Sequence, residues 1–221
     1  MKKEDVARRI VEVGIVPVVR ASSAEMALAA ARAICAGGIP IIEVTMTVPG
    51  AIEAIRELKK TMGAGVLIGA GTVLDAESAA QCLEAGAEFL VSPGFDRETV
   101  EFAKREGKLI MAGALTPTEV ITAWKAGSGF VKIFPCGNVG GASYIKALKA
   151  ALPQIPMVPT GGVNANTAAD FLRAGASALG IGGELVSTAA LKAGNFAAIT
   201  EAARNYVTIV QAARCVAQEA E

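Results

Sequence analysis

The sequence predicts an α/β protein, a (β/α)8 TIM barrel with an extra N-terminal helix. Two observations carry this prediction: eight apolar, β-prone runs alternate with helical segments, and most of those segments end at a glycine. Such alternation is typical of a parallel sheet with right-handed crossovers, and eight units in 221 residues suit a compact closed barrel. No linker or low-complexity stretch divides the chain, so a single domain is expected over residues 1–221.

The first element is a short amphipathic helix over residues 3–13, which Gly14 ends. A strand at residues 15–20 follows, and Ser22 or Ser23 is expected to cap the next helix. The later strands are predicted at residues 39–45, 66–70, 88–92, 109–112, 129–134, 157–160 and 178–182. The helices are centred near residues 30, 55, 80, 101, 121, 146 and 169, and a longer helical region runs from about 196 to 217. Asn164 or Asn166 is expected to cap the helix near residue 169.

An open doubly wound sheet is the competing fold, and its dinucleotide turn would be Gly69-Ala70-Gly71-Thr72. The third glycine of the G-x-G-x-x-G pattern is missing, because Leu74 stands in its place. The run also lies in the third unit of the chain, and the dinucleotide turn belongs to the first strand-helix turn. We therefore predict no nucleotide cofactor.

Composition narrows the possible functions. The 21 basic and 21 acidic side chains cancel and form no basic stripe, so neither nucleic acid nor a membrane is expected as a partner. No run of about 20 apolar residues and no signal-type start is present, which favours a cytoplasmic protein. The chain has no histidine, which argues against a zinc site and against Ser-His-Asp or Cys-His catalysis. The four cysteines are widely spaced and are interpreted as reduced thiols: Cys35, Cys82, Cys136 and Cys215.

A lysine in the middle of an apolar strand is the first candidate for chemistry. Side chains alternate along a strand, so Phe130, Lys132 and Phe134 are predicted to share one face. In one interpretation Lys132 lies at a strand end and its ammonium reaches water. In the other, burial favours the neutral amine, and the lysine is a nucleophile.

Other polar residues stand where strands are predicted to end, and active sites of barrel enzymes form at that end. Glu43 is a carboxylate in an apolar strand, interpreted as an ion-pair partner of Arg20 or Lys132 or as a general acid and base, and the two roles are compatible. The glycines of Thr160-Gly161-Gly162-Val163 and Gly180-Ile181-Gly182-Gly183 suit a phosphate site after strands 7 and 8, the alternative being tight turns alone. A lysine and a glutamate predicted at the same end of the barrel are harder to explain by a purely structural role than either residue alone.

Five motifs in order resemble one known family, the 2-keto-3-deoxy-6-phosphogluconate (KDPG) and 4-hydroxy-2-oxoglutarate (KHG) aldolases. The resemblance covers almost the whole chain. It implies a class I aldolase without metal or cofactor, acting on a small 2-keto acid and usually assembled as a homotrimer. The motifs are Ile42-Glu43-Val44-Thr45, Gly69-Ala70-Gly71-Thr72-Val73, Val91-Ser92-Pro93-Gly94, Val131-Lys132-Ile133-Phe134-Pro135 and Pro159-Thr160-Gly161-Gly162-Val163.

The resemblance also implies roles for single residues. Lys132 matches the lysine that forms the Schiff base, and Glu43 matches the glutamate that moves protons. Thr72 and Thr160 match residues around the pyruvyl carboxylate. Pro93 and Phe134 match pocket walls, and Gly161 and Gly162 match the phosphate loop.

The sequence departs from the family pattern at two positions. Thr47 stands where some members carry a substrate-binding arginine, and Arg20 could supply the missing positive charge. The turn after strand 8 reads Gly182-Gly183-Glu184 where the family commonly has Gly-Ser, so a carboxylate follows the glycines. The expected substrate is KDPG, cleaved to pyruvate and glyceraldehyde 3-phosphate. A non-phosphorylated or other 2-keto-4-hydroxy acid is the alternative, and a barrel that only binds phosphate or a sugar acid is the non-enzymatic one.

Overall fold

The computed structural model describes residues 1–218, and residues 219–221 of the expected single domain lie outside that range. Its parallel strands alternate with helices, and every predicted strand is found within two residues of its predicted bounds. The strands are β1 Ile15–Val19, β2 Ile41–Thr45, β3 Leu67–Gly71, β4 Phe89–Val91, β5 Leu109–Ala114, β6 Phe130–Ile133, β7 Met157–Pro159 and β8 Leu179–Ile181. The helices are α1 Lys3–Val13, α2 Ala24–Ala36, α3 Ala51–Thr61, α4 Ala76–Glu84, α5 Arg97–Arg105, α6 Pro117–Ala126, α7 Ala142–Ala151, α8 Ala168–Arg173, α9 Thr188–Lys192 and α10 Phe196–Gln218.

The strands close into a barrel. Hydrogen bonds join them in the order β7-β6-β5-β4-β3-β2-β1-β8. Strands β1 to β7 therefore lie in sequence order, β8 pairs with β1, and the seam of the barrel lies between β7 and β8. A parallel bridge between Thr160 and Gly180 links the ends of β7 and β8. The fold is therefore the predicted (β/α)8 barrel, and its carboxyl-terminal strand ends form one rim.

Alternation along the strands separates two apolar cores, which are those expected of a barrel. Phe130 packs inside the barrel with Phe89 and Leu109 from neighbouring strands. Val131 and Ile133 belong instead to the larger core between the barrel and its helices. The predicted alternation along this strand is confirmed, and Lys132 consequently points into the barrel.

Helix α1 closes the bottom of the barrel. Its buried residues Val6 and Ile10 pack against the inner cluster that includes Phe130. Gly14 ends α1 in the left-handed region with φ of 74°, as its position predicted. Arg214 of α10 donates hydrogen bonds to the carbonyls of Val11 and Glu12, which lie in the last turn of α1. Helix α1 therefore covers the end of the barrel opposite the rim where active sites of this fold form.

Local sequence signals were correct for some helix ends and wrong for one. Ser23 caps α2, and its hydroxyl accepts a hydrogen bond from the backbone N–H of Met26 at 3.3 Å. The expected cap of α8 by Asn164 or Asn166 is wrong, because α8 begins after Thr167. Asn164 instead accepts from the N–H groups of Asn166 and Thr167, so it caps an extra turn that precedes the helix.

Two short helical segments were not predicted. One is a 3-10 turn over Cys136–Val139, shortly after β6. The other is α9, a helix of five residues whose N-terminus is capped by Ser187. Segments of this length are too short to show a helical period, so the sequence pattern gave no sign of them.

In residues 1–218 no helix is both long enough and apolar enough to span a membrane.

Candidate active site

Lys132 lies inside the barrel near its carboxyl-terminal rim. On β6 it is level with Gly113 of β5 and Val158 of β7, and its side chain is only 4% exposed. The ammonium nitrogen lies 5.3 Å from the centroid of the Phe134 ring, which forms the wall above it. This favours the buried lysine over the interpretation in which the ammonium reaches water.

Glu43 enters the same interior from β2. It is level with Val18 of β1 and Gly69 of β3, and it is 2% exposed. Its Oε1 atom has no hydrogen-bond partner within residues 1–218. Buried polar atoms are nearly always paired, so a free carboxylate oxygen is a sign of function.

The charge state of Glu43 is set mainly by burial. Desolvation raises the pKa of this carboxyl above its ordinary value, while the positive charges of Lys132 and Arg20 act in the opposite direction. The ion-pair interpretation of Glu43 is not supported, because no pair within 4.0 Å includes it in the part of the chain that the structure describes. The charges of Lys132 and Arg20 thus act on the pKa of Glu43, and its carboxylate is not held in an ion pair that would prevent it from exchanging a proton.

Glycines on the inner faces of the strands make room for these groups, and the sequence analysis did not assign them this role. A Cβ atom on Gly71 would lie 1.9 Å from Oε1 of Glu43. A Cβ on Gly113 would lie 2.2 Å from the carbonyl oxygen of Pro93. The available signal was small residues at inward positions of β3 and β5, but only the folded barrel shows what each glycine faces.

We expect Gly71→Ala to lower the free energy of unfolding by about 1–3 kcal/mol, because the added methyl group overlaps the Glu43 carboxylate. Gly65→Ala is the matched control, since a Cβ on Gly65 has no atom within 4 Å. Urea denaturation of both variants measures the difference. Equal stability of the two variants would mean that the carboxylate moves aside freely.

A cavity of about 240 Å³ opens at the seam of the barrel, beside Phe134 and Thr160, and neither Lys132 nor Glu43 is among its lining residues. Arg20 lies on its wall, close enough to Gly182 that a Cβ there would lie 3.2 Å from the guanidinium. Gly161 and Gly162 form its turn after β7, with φ of 85° and 78°. Eight of the residues singled out from the sequence line this cavity: Arg20, Phe134, Thr160, Gly161, Gly162, Gly180, Gly182 and Gly183.

The other three predicted pocket residues lie on the rim outside this cavity. Thr47 is exposed, and its hydroxyl shares a 2.7 Å hydrogen bond with Thr45. Pro93 is half-buried and packs its carbonyl against Gly113, next to Lys132. Thr72 follows β3 with φ of 58°, an unfavourable backbone conformation for a β-branched residue that is found most often at functional sites.

The thiols play no part in this arrangement. Burial raises the pKa of Cys35, Cys82 and Cys136 to about 11, which keeps them protonated and unreactive at neutral pH. Cys215 is exposed on α10. No group of three histidine, cysteine, aspartate or glutamate side chains that could hold a metal ion is found in residues 1–218.

Comparison with known proteins places the chain among aldolases. Residues 6–202 match the family model described as KDPG and KHG aldolase. The 2-dehydro-3-deoxy-phosphogluconate aldolase of Treponema pallidum is 37% identical over 199 residues, which cover 90% of this chain and 94% of that protein. The KHG/KDPG aldolase of Escherichia coli is 35% identical over 87% of this chain and 90% of its own length.

A solved structure agrees with these sequence relatives. It is the KDPG aldolase of Legionella pneumophila, with pyruvate captured at low pH as a covalent carbinolamine intermediate. Its TM-score against this chain is 0.84 at 32% identity, covering 90% of this chain and 96% of that one.

Proposed function

Because this chain belongs to the KDPG and KHG aldolase family and is therefore a lyase, we propose that it cleaves a 2-keto-3-deoxy acid through a Schiff base on Lys132. One observation carries the proposal: Lys132 and Glu43 are both buried at the carboxyl-terminal end of one barrel, and Oε1 of Glu43 is unpaired within residues 1–218. The covalent carbinolamine of pyruvate in the Legionella relative supports an amine nucleophile, since an amine and a ketone form a carbinolamine.

In the proposed reaction the amine of Lys132 adds to the C2 ketone of the substrate. Loss of water from the carbinolamine gives an iminium ion, which accepts electrons from the neighbouring bonds. Glu43, directly or through a water molecule, removes the proton of the C4 hydroxyl group. The C3–C4 bond then breaks, an aldehyde leaves, and the bonding electrons form a pyruvate enamine on Lys132.

Glu43 now carries the proton that the second half of the reaction needs. It returns this proton to C3 of the enamine, again directly or through water, and hydrolysis of the resulting iminium releases pyruvate and restores the lysine. A carboxyl group with a raised pKa suits both steps, since it accepts a proton readily and holds it until the enamine is in place.

Binding groups are proposed around this pair. Thr72 and Thr160 hold the substrate carboxylate, with Arg20 nearby, and Phe134 and Pro93 form the walls. The substrate that the relatives' names support is KDPG, which yields glyceraldehyde 3-phosphate. Its phosphate would bind near Arg20 and the turns of Gly161, Gly162, Gly182 and Gly183, because successive glycines can turn backbone N–H groups toward an anion. The homotrimer expected from the family resemblance remains a prediction.

Borohydride reduction with pyruvate present tests the covalent step. We expect mass spectrometry to find one reduced pyruvate adduct per chain, on the peptide that contains Lys132. The control is the same reduction without pyruvate, which leaves the mass unchanged. An unmodified Lys132 under conditions in which the protein releases pyruvate from KDPG would exclude the Schiff base.

A further inference from the structure

Two opposite charges lie on the walls of the cavity at the seam of the barrel. Arg20 lies on one side and Glu184 follows the glycines after β8, and both line the same space of about 240 Å³. Within residues 1–218 neither side chain has a partner of opposite charge closer than 4.0 Å. A ligand in this cavity therefore meets both a free guanidinium and a free carboxylate.

The turn that carries Glu184 is fixed by backbone hydrogen bonds. Gly182 accepts from the N–H groups of Leu185 at 3.0 Å and Val186 at 2.9 Å. Glu184 also lies near Tyr206 of α10, whose pKa rises to about 12 through burial and through the charge of this carboxylate. Glu184 thus lines the cavity from a turn with a defined conformation.

The two charges act oppositely on a phosphorylated substrate. A phosphate monoester carries close to two negative charges at pH 7, so Arg20 attracts it and Glu184 repels it. A neutral, hydroxylated chain end experiences no such repulsion, and its hydroxyl groups can donate hydrogen bonds to the carboxylate. Glu184 therefore raises the free energy of the phosphorylated complex only.

We propose that Glu184 is a specificity-determining residue that lowers the preference of this enzyme for substrates phosphorylated at the end distant from the keto group. The inference rests on the proposed aldolase function and refines its substrate class toward non-phosphorylated 2-keto-3-deoxy acids. Phosphate is still accepted, through Arg20 and the glycine turns, but with a reduced advantage over a hydroxyl group.

Kinetics with two substrates test the proposal. The ratio of kcat/KM for KDPG to kcat/KM for 2-keto-3-deoxygluconate is measured at constant ionic strength by pyruvate release. We expect Glu184→Gln to raise this ratio roughly tenfold, mainly through a lower KM for KDPG. Glu106→Gln, which removes another exposed carboxylate, at the end of α5, is the matched control and leaves the ratio unchanged. An unchanged ratio in Glu184→Gln overturns the inference and leaves the aldolase function intact.

Binding of inorganic phosphate decides the same question without turnover. Phosphate that binds the folded state raises Tm with concentration, so a thermal titration gives its affinity for each variant. We expect tighter binding to Glu184→Gln than to the original chain and no change in Glu106→Gln. Equal affinity in all three overturns the inference. Tighter binding in a protein that releases no pyruvate would support the role of Glu184 in phosphate binding and refute the proposed function.

Discussion

The Lys132→Met variant is expected to lose at least roughly 10³-fold in kcat/KM, because methionine has no amine to form the Schiff base. The same variant is expected to be about as stable as the original chain, or up to about 2 kcal/mol more stable. Methionine fills a similar volume in the barrel, and it replaces a buried polar nitrogen by an apolar group. Pyruvate release and urea denaturation measure the two effects.

Lys125→Met is the matched control for this variant, since Lys125 is exposed on α6. We expect it to leave kcat/KM unchanged. Substantial turnover by Lys132→Met would refute the covalent mechanism. A large loss of stability together with lost activity would instead indicate that Lys132 supports the fold.

The Glu43→Gln variant is expected to lower kcat by about 10²–10⁴-fold, because glutamine keeps the shape of the side chain but cannot take up a proton. Borohydride trapping of pyruvate on Lys132 is expected to persist in this variant, since Glu43 is assigned to proton transfer and Lys132 to bond formation. Glu106→Gln again provides a control of equal charge change far from the site. Normal turnover of Glu43→Gln would remove Glu43 from the proposed reaction.

The same substitution has an effect on stability that depends on pH. The pKa of Glu43 is higher in the folded chain than its unfolded value of about 4.3, so above pH 4.3 the folded state binds more protons at this site than the unfolded state. The contribution of Glu43 to stability is therefore lost as pH rises from 4.3 to the raised pKa. We expect Glu43→Gln to be more stable than the original chain at pH 7 and nearly equal to it at pH 4. Urea denaturation at both values checks this, and a difference independent of pH would contradict the pKa direction.

The barrel was predictable because each of its strands and helices is marked by a pattern within a short stretch of sequence. Each strand is an apolar run, most helices end at or next to a glycine, and the alternation around Lys132 decides by itself which side chains face inward. Strand order then places Lys132 and Glu43 at the same rim, although 89 residues separate them. These two residues could be proposed as a pair from the pattern alone.

The remaining features depend on contacts between distant parts of the chain. That Gly71 makes room for Glu43 is visible only when β2 and β3 are paired in their register. The position of Glu184 in the same cavity wall as Arg20 requires the pairing of β8 with β1. Neither relation has a spacing that a sequence pattern could reveal, so the charge of Glu184 was noted but not its place on the cavity wall.

Closure of the barrel bottom by Val6 and Ile10 of α1 has a kinetic consequence. Substrates then enter and products leave by the same mouth, and in the proposed reaction the pyruvyl group is attached to Lys132 inside the barrel. The aldehyde fragment lies above it, so it must depart before water reaches the iminium and frees pyruvate. An ordered release follows, with aldehyde first and pyruvate last, and in the synthetic direction pyruvate has to bind before the aldehyde.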